Sequence, residues 1–249
     1  MASVTFTMLS SGKYSDLKIT CHGKEFVVHR AVVCLQSKPL AAAIDGKFKE
    51  AITGQIDLDG NEPAVVEAML KFMYTSDYPD GREDDHGAAT KAGALTATET
   101  APEIGGALLF NTKVYIIGEQ LDVQPLKELA KNKFEEIIGD QWNSASFVAS
   151  LKLLYEGTPE KDRLLKDVAI KTAGKRAKQL CDRGDFVTLC KEDGEIAFDV
   201  LKAVTKSTPK RTCPDCLRPD CLRSNIMNES TTRNFYCLAP GKMSYGYSV

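Results

Sequence analysis

Histidine is scarce in this chain, with 3 among 249 residues: His22, His29 and His86. So few imidazoles leave little general acid and base capacity near neutral pH. Also missing are a glycine-rich phosphate loop after a strand, paired acidic residues at catalytic spacing, a histidine-based metal cluster and a nucleophile elbow. These absences argue against an enzyme. No segment approaches the roughly 20 apolar residues of a membrane span. The start, Met1–Leu9, is apolar but lacks the basic n-region and the h-region of a signal peptide. An intracellular chain, cytoplasmic or nuclear and without a membrane partner, is the expectation. A strong charge of either sign is missing too. A formal net charge of −2 and a pI near 6.0 give no global drive toward nucleic acid, so such binding needs a local basic patch.

What is present is an ordinary globular composition, 43% hydrophobic, enough for a substantial core. Leu17, Ile19 and Cys21 alternate with Lys18, Thr20 and His22, the period of a strand with one buried face. Gly23-Lys24 turns the chain, and Phe26-Val27-Val28 pairs back as a hairpin. From Arg30 the apolar residues recur at helical spacing, and Lys38-Pro39 marks a boundary between two short helices. Gln55–Leu58 returns to strand alternation. Pro63 then opens a helix with Val65, Val66, Met69, Leu70 and Met73 on one stripe.

This order, with Tyr14-Ser15-Asp16-Leu17, Phe26-Val27-Val28-His29-Arg30, Ser37, Phe48-Lys49-Glu50, Ile56-Asp57-Leu58 and Phe72-Met73-Tyr74-Thr75, resembles the BTB (POZ) domain. Val114–Val123 followed by Leu126-Lys127 looks like the closing helices of that domain. Glu156–Pro159 and Asp162–Leu164 give the chain the style of the filamentous-fungal branch. The resemblance implies an α+β fold and a role in protein interaction.

Four segments follow: an N-terminal arm, 1–13; a BTB domain, 14–140, interrupted by a disordered insertion at 80–106; a helical extension, 141–206; and a cysteine-bearing tail, 207–249. The insertion is set apart by its run of Ala, Thr and Gly with almost no core-forming residue. In the extension, Phe147, Val148, Leu151 and Leu154, then Leu164, Leu165, Val168, Ala169 and Thr172, then Ala197, Val200, Leu201 and Val204 form helical stripes. The resemblance makes such an extension a brace for the BTB domain.

Three sets of residues carry candidate chemistry. In the family the positions of Asp16 and Arg30 share a partly buried charged pocket. Because a buried charge without its partner costs several kcal/mol, the two are expected to pair, as a structural ion pair or as a ligand pocket. His29 beside them reads as a packed core histidine. Phe48 and Glu50 match the hydrophobic–any–glutamate pattern of BTB proteins that recruit cullin-three ubiquitin ligases. An exposed Phe would anchor in the partner while Glu orients the contact; the competing reading is a Phe that covers the core. Family geometry places Tyr74 on the same surface. Homodimerisation in the family leans on an N-terminal element, and only Val4–Leu9 precedes the core here.

The third set lies in the tail, where Cys213, Cys216, Cys221 and Cys237 gather four thiols. Four thiolates satisfy tetrahedral zinc. Against a zinc ribbon, Cys237-Leu238-Ala239-Pro240 supplies no second CxxC and no histidine follows His86; reduced surface cysteines are the competing reading. Cys21 and Cys34 read as buried, Cys181 and Cys190 as helix-face residues. The functional expectation is a BTB adaptor or scaffold presenting a substrate to a cullin ligase. The alternative is a transcription-associated regulator whose zinc-bearing tail contacts nucleic acid, with Lys171, Lys175, Arg176 and Lys178 as its basic footing.

Overall fold

The alternation read at residues 17–21 becomes β1 (Leu17–Cys21), with Leu17, Ile19 and Cys21 buried and the residues between them half-buried. A turn with positive φ at His22 and Gly23 reverses the chain into β2 (Lys24–Val28), which pairs antiparallel and sets Ile19 opposite Phe26. This computed structural model describes the backbone of residues 4–82, 106–207, 223–227 and 233–237, and the side chains of residues 7–82 and 106–206. The arm before β1 contains a helix, α1 (Val4–Ser11).

After β2 come α2 (Arg30–Gln36) and α3 (Lys38–Asp45). Ser37 separates them. Its hydroxyl accepts from the Leu40 amide (3.2 Å) to cap α3 and donates to the Leu121 carbonyl (2.6 Å), so one side chain both starts a helix and ties it to the closing layer. A third short helix, α4 (Lys49–Thr53), follows. Phe48 precedes it in extended conformation, and Gly54, at φ 64°, ends it in the left-handed region that glycine occupies without strain. β3 (Gln55–Asp57) then joins β1 in parallel, Ile56 beside Ile19, for a strand order β2-β1-β3. α5 (Pro63–Thr75) begins with its proline in the first turn and packs against α1.

α6 (Gly106–Gln120) and α7 (Gln124–Gln141) close the core, as the resemblance implied. α6 is the central helix. Besides Val114 and Ile117, it buries Leu108, Asn111, Thr112, Tyr115 and Ile116, a set too wide for one stripe, whereas Phe110 is only half-buried. The folded neck of the expected insertion extends further than the composition suggested: Asp80 is buried and hydrogen-bonds to Asn111. Residues 83–105 lie outside the described residues.

In the extension, α8 (Ala145–Gly157) is capped by Ser144, whose hydroxyl accepts from the Phe147 amide at 3.1 Å. α8 packs on α6 so closely that a Cβ at Gly157 would meet the Ile116 side chain at 2.9 Å. A connecting loop leads to α9 (Lys166–Lys175), α10 (Ala177–Leu180), α11 (Gly184–Glu192) and α12 (Gly194–Ser207). α10 and α11 bury Leu180, Phe186 and Leu189, which the apolar stripes read from the sequence did not include. Two stripe positions are corrected: Leu164 is 40% and Leu201 58% exposed, while Ile170, Ile196 and Asp199 face inward. No helix among the described residues is long and apolar enough to cross a membrane. By internal contacts the chain divides into two units, Met1–Ala203 and Val204–Val249. In the second, β4 (Arg223–Met227) and β5 (Arg233–Cys237) form an antiparallel hairpin.

Candidate partner-binding surfaces

The corner where β2 runs into α2 gathers the charged residues read from the sequence. Asp16 is exposed and Arg30 half-buried. Their side chains form no ion pair with each other. Instead the Arg30 amide donates to Asp16 Oδ1 at 2.8 Å, and Arg30 Nε donates to the Asp16 carbonyl at 3.2 Å. His29, the residue preceding α2, offers no side-chain cap, so Asp16 satisfies the first amide of that helix from across the chain. The expected buried ion pair is thus corrected to a mutual side-chain-to-backbone capping. An exposed carboxylate keeps its water, and nothing forces a charged partner onto it.

His29 is a packed core histidine, 5% exposed and bonded on both ring nitrogens. Nε2 lies 2.8 Å from the Lys13 carbonyl, which can only accept, so this nitrogen carries the proton. Nδ1 then faces the Tyr74 hydroxyl at 2.8 Å, and the His29 amide donates to the same oxygen at 2.9 Å. Tyr74 is therefore not on the surface where the family geometry set it. It is 4% exposed, and burial raises the pKa of its phenol, with the Asp16 charge adding to the effect.

Phe48 is 63% exposed at the start of α4, Glu50 lies in its first turn, and Ile52 on the same helix is 86% exposed. This places Phe48 in solvent rather than over the core. A shallow depression of about 450 Å³ opens at the far end of α4, lined by Asp16, Lys18, Val27, Arg30, Ile52 and Gly54. Two large apolar side chains, Phe48 just before a five-residue helix and Ile52 on it, flanked by a capped acid–base corner, have the composition of a contact patch: an apolar centre with a polar rim.

Cys213, Cys216 and Cys221 lie outside the described residues. Cys237 ends β5 opposite Arg223, and its side chain is not described. Among the described residues no group of three or more His, Cys, Asp or Glu side chains is placed to hold a metal ion. Cys21 is buried as read, whereas Cys34 is half-buried and Cys181 exposed. Burial, followed by the Asp59 and Asp57 charges, pushes the Cys21 thiol up, which makes it a poor nucleophile.

A fourth constellation, with no signature in the sequence, lies on the seam where α6 and α7 meet the extension. The Tyr115 hydroxyl donates to Asp162 (2.7 and 2.9 Å), and Lys127, 5% exposed at its side chain, pairs with Asp162 at 3.0 Å and also with Glu119. Beside it the Tyr155 hydroxyl donates to Asp199 at 2.6 Å and Arg163 reaches the same oxygen at 2.7 Å. Burial would raise the Asp199 carboxyl, but the bonds from Tyr155 and Arg163 hold it below the usual carboxylate range. Only the distant partners reveal this cluster.

A three-stranded sheet with a hairpin edge, followed by short helices and by two long helices that close the core, is an α+β fold. Residues 6–97 match the BTB/POZ domain family model, and this part of the chain is a BTB/POZ domain. Similar curated proteins include human Kelch-like protein 30, 33% identical over 66 residues, which is 26% of this chain and 11% of that protein. Human and mouse Kelch-like protein 11 are each 32% identical over 59 residues, 21% of this chain and 8% of theirs. The matched stretch thus spans about a tenth of these relatives' length.

Proposed function

We propose that this protein is a BTB adaptor whose α4 surface docks a cullin-three ubiquitin ligase subunit while the rest of the chain engages a substrate. The observation that carries this reading is the exposure of Phe48 beside Glu50, with Ile52 extending the apolar surface. An aromatic side chain held out on a short helix, capped at its far end by Gly54, is pre-positioned to enter a partner pocket at low ordering cost. The BTB/POZ domain supports protein interaction in general. Self-association through the N-terminal element and the exposed Tyr14 and Leu35 belongs to the same proposal.

Calorimetric titration with the N-terminal domain of cullin-three tests it, alongside Phe48→Ala and Glu50→Ala. Micromolar or tighter binding that both variants lose is expected. No binding by the folded wild type would remove the ligase role and leave a scaffold. A second reading, a regulator with a zinc-bearing tail, has one supporting observation. Cys237 closes β5 opposite Arg223, two residues after Cys221 in sequence, so the hairpin returns the chain to the end from which it entered. Zinc content of the purified protein, before and after Cys237→Ser, tests that site.

A further inference from the structure

We propose that α9 and α10 form a docking surface for an acidic peptide segment of a partner protein. Lys171, Lys175, Arg176 and Lys178 are all exposed, and none of them pairs with a carboxylate among the described residues. The neighbouring cations are held differently. Lys152 pairs with Glu156 and Glu192, Arg163 with Asp167 and Asp199, Arg183 with Asp185, and Lys202 with Asp199. Like charges four residues apart on a helix repel, so a cluster of uncompensated cations is a local excess that an anionic partner relieves.

The backbone positions these charges for an extended partner. Lys171 and Lys175 are about 6 Å apart along the α9 axis, close to the roughly 6.6 Å between alternate residues of an extended strand. At Arg176 the backbone leaves helical geometry (φ −107°, ψ 11°), and this break joins α9 to α10 so that Lys178 follows on a second short helix. A strand with acidic residues at every second position can meet these cations in turn.

Acidic peptide fits better than nucleic acid. Single strands are gripped by cations together with aromatic faces on which bases stack. The aromatic ring at this surface, Trp142, is already covered by the Arg176 guanidinium 4.9 Å from its centroid. The net charge of −2 adds none of the broad positive field of a phosphate-binding protein. The inference rests on the adaptor reading and gives its partner a chemistry, but it does not require that partner to be a cullin.

Fluorescence anisotropy with the full-length protein and a labelled peptide of about 12 residues alternating Glu and Gly tests the surface. Binding is expected to weaken about tenfold in Lys171→Glu/Lys175→Glu, to weaken less in Lys171→Gln/Lys175→Gln, and to stay within about twofold in Lys13→Glu, a control on the BTB domain. It should also weaken about tenfold between about 50 and 300 mM salt, because exposed charges are screened over that range. Circular dichroism confirms that each variant is folded. No measurable binding, an equal loss in Lys13→Glu, or tighter binding of a single-stranded DNA of about 12 nucleotides would overturn the proposal. The cullin titration run on Lys171→Glu/Lys175→Glu separates the two readings: retained cullin binding with peptide binding absent from the wild type removes only this surface.

Discussion

Asp16 and Asp162 each fasten one element to another, the first at the corner of β2 and α2, the second between the closing helices and the extension. Asp16 is exposed and works through backbone groups, accepting the Arg30 amide. Asp162 has a side chain 8% exposed and takes a phenol and an ammonium, Tyr115 and Lys127, whose Nζ also lies 5.0 Å from the Tyr115 ring centroid. Water can replace any partner that Asp16 loses. No such replacement reaches Asp162, so its partners must saturate it. The seam with the extension, rather than the charged corner of the BTB sheet, is therefore where single polar changes destabilise this protein most.

The sharpest way to break that contrast is Lys127→Met. It leaves Glu119 and Asp162 without their shared cation, and urea denaturation should show a loss of about 3–5 kcal/mol. Next is Tyr155→Phe, which removes a donor from buried Asp199 and should cost about 1–3 kcal/mol by the same measurement. The same carboxylate gives the extension beside the seam a pH signature. Its folded pKa lies below the ordinary 3.8, so its contribution is fully present above that value and is lost as pH falls through the folded pKa. Acid titration followed by circular dichroism should show Asp199→Asn losing this part of the acid dependence while the wild type keeps it. Asp16→Ala removes a cap-like bond in solvent and should cost about 1 kcal/mol, read as a small shift in Tm. Phe48→Ala, changed at an exposed position, should leave stability within about 0.5 kcal/mol. A seam no more sensitive than the corner would dissolve the comparison.

The difference also explains what could be read from the sequence. Residues whose role is set by local period or by a near neighbour were legible: the β1 alternation, the Pro63 helix start, and His29 as a core residue. Asp16 and Arg30 were legible as neighbours but not in the form of their contact, because spacing shows proximity and not which atoms meet. Tyr74 misled because its surface position was carried over from the family geometry, whereas here its hydroxyl is taken by His29, 45 residues away in sequence. Neither Lys127 nor Lys166 stood out in the sequence as a core residue, yet both are buried. Lys166 donates to the carbonyls of Thr158 and Pro159 at 3.2 and 3.1 Å. A buried lysine is betrayed only by acceptors that the fold brings to it. On the α4 surface, Phe48 and Glu50 were legible as a pattern, while the added reach of Ile52 became visible only once residues 49–53 were seen to be helical.

The neck at Asp80 has a consequence for how this domain can change in length. The Tyr78 hydroxyl donates to Asn111 at 2.7 Å, Asn111 donates to Asp80 at 2.9 Å, and Arg82 bridges Asp80 and Glu136 at 2.9 Å to each. Residues 77–82 are thereby fastened to α6 and α7 by bonds that do not depend on what lies between 83 and 105. Closing a longer excursion there costs only about 0.6 kcal/mol for each doubling of its length. The neck therefore makes this point of the chain a natural port, where a tag, a reporter or a whole foreign module can be spliced in while the BTB core folds around an unchanged entrance.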